Sequence, residues 1–294
     1  MRFSADCVPC LLHRIVYQTD LVAPERRDEA VEEALHIISS GFPRRENSAK
    51  LATKVHRRVY EIIRNDDPYK DLKVRSNQAA KDVLPVARTF VEGARDRLAA
   101  ACQVAIAGNV MDFGIDVGME GPEAFAKKFD ALLGEGLQVN EVEKLRRSAS
   151  CAKTIYYLVD NCGEIVLDRF LVEELRSYGA KVIGVVKGEP ILTDAVESDI
   201  YDTGMDDVFD SWTTTGVYAV GLDLDRNQEL AEMLGNADLV VSKGMANYES
   251  LSDEDLPRVA YLLRAKCRPV AAAIGAKKDD NVVRVVLKER GGRC

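Results

Sequence analysis

The sequence predicts an α/β fold in which a mostly parallel sheet, covered by helices on both faces, follows a helical N-terminal region. Up to about residue 150, apolar residues recur at helical spacing; beyond it, short apolar runs rich in β-branched residues alternate with helical stretches. Strands that are apolar throughout need cover on both faces, as in the parallel sheets of α/β proteins. The chain has 294 residues, 47% of them hydrophobic, which is ample for a core of this kind. The expected organisation is a helical region over 1–150 and an α/β region over 151–294, packed together with no repeat or low-complexity linker between them.

In the helical half, the stretch after Pro24 places Ala30, Val31, Ala34, Leu35 and Ile38 on one face and stops at Gly41. LATKVHRRVYEIIRN repeats the pattern with Leu51, Val55, Val59, Ile62 and Ile63, ending near Asp66-Asp67-Pro68. A long helix is expected from Gln78 to about Ile106, with Pro85 as a kink or a new start. GPEAFAKKFDALLGEG and NEVEKLRRSA give two shorter helices. The expected strands lie in TIYYLVD, KVIGVVK, ADLVVSKG, RPVAAAIG and NVVRVVLK.

Charge narrows the function classes. Lys and Arg number 40 against 48 Asp and Glu, a net of −8, with no basic stripe, which argues against nucleic-acid binding. No apolar run approaches the roughly 18–20 residues that span a bilayer, and the N-terminus lacks a secretory apolar core, so no membrane partner is expected. Seven cysteines without framework spacing suit a reducing compartment, and a cytoplasmic location is expected. Nothing in the sequence fixes the oligomeric state.

Three polar loops fall directly after expected strands, where open parallel sheets bind ligands. The first follows strand 154–159 and carries Asp160, Asn161, Cys162, Gly163 and Glu164 before a helix from about Ile165. KGEPILTDA, after strand 181–187, brings Asp194, and SKGMANYESL brings Lys243, Asn247 and Glu249. Two aspartates and a carboxamide offer the hard oxygen donors that Mg²⁺ or Mn²⁺ prefer. Lys243 would then be a point charge for a phosphoryl oxygen, aided by backbone N–H groups of the Gly244 loop, an arrangement suited to phosphoryl transfer or hydrolysis. Taken singly, each residue has a plainer reading: Asp160 or Asp194 as a helix cap, Glu164 as a helix-dipole partner, Lys243 as a solvated side chain. GNVMDFG, Gly108 to Gly114, reads either as a helix stop or as a polar turn presenting Asn109 and Asp112 to the cleft. No GxGxxG follows a strand, so no dinucleotide site is expected.

CVPCLLHR spaces Cys7, Cys10 and His13 by three. The three readings are buried thiols, a redox dithiol, or a soft-metal site completed by a residue such as His56 or Cys102. Cys162 reads as a small filler, since a nucleophilic cysteine needs a nearby base and no histidine is close in sequence. His13, His36 and His56 all fall in the helical half.

GNVMDFG, VDNCGEIVLD, KGEPILTDA and SKGMANYESL, in this order, resemble the damage-control phosphatase family, first catalogued as domain of unknown function 89. CVPC resembles its microbial and archaeal branch, and other branches lack the pair. The resemblance implies a three-layer α/β/α sandwich with an added helical region. It also implies a metal-dependent phosphatase for small phosphorylated metabolites, such as sugar phosphates or damaged phospho-metabolites. Carried over by motif, Asp160, Asn161 and Asp194 would hold a divalent ion (Mg, Mn, Co or Ni), with Asp160 and Asp194 in the chemistry. Asn109 and Asp112 would contact substrate or bound water, Lys243 would hold phosphate, and Asn247 and Glu249 would line the pocket; Glu164 is counted with the substrate-binding residues, either holding a water or only partnering the helix dipole. The alternatives are a non-catalytic phosphate-ligand binding protein and a carboxyl methyltransferase, a label some relatives carry. DNCGE, with one glycine and two acids, suits a methyl-donor loop poorly.

Overall fold

The computed structural model describes residues 1–112 and 121–288. Its strands are β1 (Val139–Asn140), β2 (Thr154–Leu158), β3 (Lys181–Val186), β4 (Ser211–Thr214), β5 (Leu239–Lys243), β6 (Arg258–Arg264) and β7 (Asn281–Leu287). They form one sheet in the order β1-β7-β6-β5-β2-β3-β4, parallel throughout except for the β6–β7 pair. Before the sheet come α1 (Cys7–Val22), α2 (Arg27–Gly41), α3 (Ser48–Ile63), α4 (Lys70–Asp82), α5 (Leu84–Glu92), α6 (Arg97–Ala107), α7 (Phe125–Gly134) and α8 (Val142–Cys151). Between and after the strands lie α9 (Glu164–Ser177), α10 (Glu197–Thr203), α11 (Gln228–Gly235), α12 (Gly244–Leu251) and α13 (Arg268–Ile274). No helix among the described residues is long and apolar enough to cross a membrane.

The sandwich follows from strand alternation, because successive side chains leave a strand on opposite faces. Ile155 and Tyr157 of β2, Leu239 and Val241 of β5, and Ala260 and Leu262 of β6 enter one core, shared with α1 to α6 and α9. Leu158, Val240, Val259, Tyr261 and Leu263 enter a second core on the other face, under α11, α12 and α13. The first core runs without interruption from Phe3 to Val285, so the helical region and the sheet are packed on a common interior.

Four elements differ from the sequence expectation. RPVAAAIG forms helix α13, and the strand is the preceding RVAYLLR of β6. The reason is local: Pro269 sits in the first turn, where it lacks no needed donor, and three alanines follow, the best helix formers. The long helix expected over 78–106 is three helices, broken where Pro85 opens α5 and where Asp96 caps α6 by accepting from the Ala99 N–H at 3.0 Å. The short edge strand β4 had no apolar run to announce it. Strand β1 comes from before residue 150 and pairs with β7, so the sheet reaches across the expected boundary.

Strand order sets where the site lies. From central β2 the chain builds outward through β3 and β4, then returns to add β5 and β6 on the other side. Connections leaving β2 and β5 therefore diverge, opening a crevice at their carboxyl ends. The loop after β3 is carried to this crevice in a tense conformation, with Leu192 at φ 51° in the left-handed region, uncommon for a residue with a side chain. Its N–H donates to the Tyr60 hydroxyl of α3 at 2.9 Å, which ties the loop to the helical region. Tyr60→Phe keeps the ring and leaves that buried N–H unpaired, so urea unfolding is expected to show a loss of about 1–3 kcal/mol. A loss below ~0.5 kcal/mol would show that the loop is held by its other contacts.

Candidate active site

A pocket of about 700 Å³ opens at the carboxyl end of the sheet, and Arg14, Asp112, Asp160, Asn161, Asp194, Glu249 and Lys266 are among its polar lining. Two glycines allow the backbone to assemble this floor. Gly163, at φ 78°, turns the chain into α9 where a Cβ would meet Met111 at 2.7 Å and the Ser76 carbonyl at 2.8 Å. Gly244, at φ 73°, opens α12 so close to Asp160 that a Cβ would lie 1.9 Å from its Oδ2. The loops after β2 and β3 are joined by an antiparallel bridge between Asn161 and Asp194. Around that bridge the Cys162 N–H donates to the Thr193 carbonyl at 2.8 Å, and the Ala195 N–H donates to the Asp160 carbonyl at 2.9 Å. The two aspartates thus meet because the backbone pairs them.

Asp160 is oriented by two carboxamides. Its Oδ2 accepts from Asn109 Nδ2 at 3.0 Å and from Asn161 Nδ2 at 2.7 Å. The same amides donate to Glu164 Oε2 at 2.8 and 2.9 Å. The other Glu164 oxygen accepts from Lys243 Nζ at 2.7 Å, and that ammonium also donates to Asp168 Oδ1 at 2.5 Å and to the Ala105 carbonyl at 3.2 Å. Lys243, Glu164 and Asp168 are each fully buried. Oδ1 of Asp160 makes no hydrogen bond among the described residues, and Asp160 faces the pocket.

Environment divides the carboxylates. Burial pushes Asp160 well above the usual range, and the nearby charges of Glu164 and Asp194 push the same way. Asp194 is also raised by burial, although Lys187 lies 3.2 Å from its Oδ2. Burial would raise Asp112 too, but Arg14 at 3.1 Å and Lys266 at 2.9 Å hold its carboxyl below the ordinary value. Asp168 is pushed up to about 6 by burial, against the pull of Lys243. Six carboxylates (Asp112, Asp160, Glu164, Asp168, Asp194, Glu249) thus share the pocket and the layer beneath it with four cations (Arg14, Lys187, Lys243, Lys266). Asp194 has Lys187 and Lys243 serves both Glu164 and Asp168, whereas Asp160 has no ion-pair partner among the described residues. Two carboxylates and the Asn161 carboxamide at the pocket floor offer the oxygen donors that suit a hard divalent cation.

Several residues take places other than those expected. Lys243 does not face the pocket: its ammonium is sealed beneath the floor with both acids and cannot also grip a phosphate. Glu164 is neither a water holder nor an exposed dipole partner, since protein donors occupy both its oxygens. Asn109 likewise gives its amide to Asp160 and Glu164, and its Oδ1 accepts the Arg264 N–H at 3.2 Å. Asn247 binds the carbonyls of Val159 and Lys243, at 3.1 and 2.9 Å, fixing the ends of β2 and β5 rather than lining the pocket. Asp112 and Glu249 do line it. Phe113 and Gly114 of the GNVMDFG stretch, with Ile115–Val117, lie outside the described residues.

Sequence reasoning missed Arg14, Lys187, Lys266 and Asp168. Asp168, four residues after Glu164 on an otherwise apolar helix face, was the readable signal, because an acid there must find a cation. Lys187 directly follows the apolar run of β3, which is a second, weaker signal.

The cysteines sort differently from any single expectation. Cys7 and Cys10, in the first turn of α1, share a pocket wall with Cys267, and all three are free thiols. Cys102 is buried in α6, and His56 Nδ1 lies 2.8 Å from Gln18 Oε1. Among the described residues, no three His, Cys, Asp or Glu side chains stand close enough together to hold a metal ion by themselves. Cys162 is fully buried, and burial first, then Asp199, pushes its thiol well up, so it is inert as a nucleophile.

The chain is similar along nearly its whole length to known proteins. A family model for the damage-control phosphatase ARMT1-like domain matches residues 3–282. A damage-control phosphatase of Archaeoglobus fulgidus is 39% identical over 289 residues, 97% of this chain and 100% of that protein. An uncharacterized protein of Methanocaldococcus jannaschii is 33% identical, covering 96% of this chain and 95% of its own. The crystal structure of a DUF89 family protein from Pyrococcus horikoshii is similar at a TM-score of 0.85 and 26% identity, over 96% of this chain and 98% of that one.

The buried charges generate two predictions. Lys243→Met leaves Glu164 and Asp168 without their cation and is expected to cost about 3–5 kcal/mol in denaturant unfolding. A cost under ~1 kcal/mol would mean that the acids are neutral in the folded protein. His56 gives a pH signature: burial first, then Arg14, lowers its pKa from 6.5 to about 3. The folded protein keeps the ring neutral while the unfolded chain protonates near 6.5, so its contribution is complete above that pH. It is lost as pH falls toward 3, by about 1.4 kcal/mol per pH unit. His56→Gln should flatten that acid limb in unfolding curves taken from pH 7 to 4; an unchanged slope would assign the acid sensitivity elsewhere.

Proposed function

The chain belongs to the damage-control phosphatase family, and from that premise we propose that it is a divalent-metal-dependent phosphatase acting on small phosphorylated metabolites. The observation that carries the metal requirement is the Asn161–Asp194 backbone bridge, which brings the carboxylates of Asp160 and Asp194 to one pocket floor. Asp160, Asn161 and Asp194 would hold the cation. When bound, it would supply positive charge for the phosphoryl oxygens and for the developing charge of displacement.

The remaining work falls to groups of the chain itself. Lys266 and Arg14 converge on the carboxylate of Asp112 on the wall beside the floor. Both face the pocket, and they take the role of gripping phosphate that Lys243 cannot perform. The paired carboxamides of Asn109 and Asn161 fix Asp160 Oδ2, leaving Oδ1 as the oxygen that acts. From there Asp160 either takes a proton from an attacking water or attacks phosphorus itself; oxygen-18 exchange into its carboxylate separates the two.

The test is a screen of p-nitrophenyl phosphate and sugar phosphates with Mg²⁺, Mn²⁺, Co²⁺ and Ni²⁺. Turnover should stop with chelator and return with added cation. Asp160→Asn should lower kcat on the order of 10³-fold, and Lys266→Ala should chiefly raise KM. Full metal-dependent activity in Asp160→Asn would remove this residue from the chemistry. Tight phosphate-ester binding without turnover under any metal would favour a binding protein. Methyl transfer to a carboxyl from a labelled donor would favour the methyltransferase reading.

A further inference from the structure

We propose that the pocket carries a second anion subsite at its rim, formed by Arg268 and Lys278, so that the preferred substrates bear a second phosphate or a carboxylate besides the phosphate that is cleaved. This rests on the phosphatase reading of the floor. Both side chains line the pocket, and both are exposed. Their electrostatic situation sets them apart from the cations below. Arg14, Lys187, Lys243 and Lys266 each lie within 3.2 Å of a carboxylate oxygen. Arg268 makes no ion pair or hydrogen bond among the described residues. Lys278 reaches only its sequence neighbour Asp279, at 4.0 Å and with both side chains about half exposed.

The segment Lys266-Cys267-Arg268 connects the two levels: the Lys266 ammonium points inward to Asp112, and two residues later Arg268 stands at the mouth. A substrate phosphate on the floor would therefore project the rest of the molecule toward Arg268 and Lys278. The guanidinium can bind an oxyanion through two parallel donors, whereas the ammonium acts as a point charge. Opposing charge near this rim comes from Asp6, from Asp279 beside Lys278 and from Glu249 in the pocket wall. Burial raises the thiols of Cys10 and, to about 12, Cys267, so both are neutral at physiological pH. Asp6 is the exposed acid among those lining the pocket. At about 700 Å³ the pocket has far more room than one phosphate group occupies, within the range of sites that enclose whole small molecules.

The experiment compares glucose 1-phosphate with glucose 1,6-bisphosphate, which differ by one phosphate, in wild type, Arg268→Ala, Arg268→Lys, Lys278→Ala, the double alanine variant and Asp6→Asn. In wild type the bisphosphate should have the lower KM. The double variant should lose about tenfold of that preference through KM, Arg268→Lys should keep part of it, and Asp6→Asn should enlarge it. Added salt should erode the preference. An unchanged preference in the double variant, or equal losses for both sugars, would overturn the subsite. If wild type hydrolyses no ester, the phosphatase reading itself fails, and calorimetric titration with the same two sugars then reads the subsite directly. Tighter bisphosphate binding that disappears in the double variant supports it, and equal binding of the two sugars overturns it.

Discussion

Lys243 brings an ammonium to the centre of the molecule, between Glu164 and Asp168, where none of the three side chains touches solvent. Removing three charges from water costs several kcal/mol each, and only close, mutually satisfied geometry offsets it. The ions can therefore exist only if the end of β5 and the first turn of α9 are held in one relation. Glu164 passes that constraint upward, because its second oxygen collects the amides of Asn109 and Asn161, which in turn orient Asp160. Asn247 closes the arrangement from the side by binding the carbonyls that end β2 and β5. The position of the Asp160 carboxylate is thus set by a charge cluster buried beneath the pocket.

Above that cluster, environment alone makes two kinds of aspartate. Asp112 sits between Arg14 and Lys266 and stays ionised. Asp160 is surrounded by Glu164 and Asp194 and resists ionisation. Groups whose surroundings drive their pKa values apart mark divided labour in a site. Here the division is spatial as well: on the proposed function, the oxygens on the floor would hold the cation and the nitrogens on the wall beside them the phosphate. A phosphate ester and a divalent ion require these two surfaces side by side.

Much of this was legible in the sequence, for a physical reason. Polar loops after apolar strands must lie at the carboxyl end of a parallel sheet, so Asp160, Asn161 and Asp194 could be gathered without coordinates. Direction was harder to read than location. Lys243 ends a strand in which Leu239 and Val241 face the first core, and the two-residue period sends Lys243 to the same side, away from the pocket. The alternation was there to be used, but a lysine beside a glycine loop suggested phosphate. RPVAAAIG misled because small apolar residues fit a strand or a helix equally until Pro269 is read as a first-turn residue. Arg14 could not be found at all from its helix, since nothing in CVPCLLHR says which tertiary neighbour it meets.

Arg14 also shows how the helical region shares in the function. The sheet ends supply Asp160, Asn161, Asp194 and Lys266. The opposing wall (Phe3, Leu11, Arg14, Ala52 and His56) comes from the first turns of chain and from α1 and α3. Tyr60 of α3 holds the strained Leu192, so the same region that shapes the wall also steadies the loop bearing Asp194. On the proposed function, chemistry and recognition would therefore come from different parts of one continuous core. Changes in α1 or α3 can alter which metabolite fits while the paired aspartates stay where the backbone bridge puts them. The constraint runs the other way for the sheet: a shift in β2 or β5 would break the buried charge cluster before it reached the pocket.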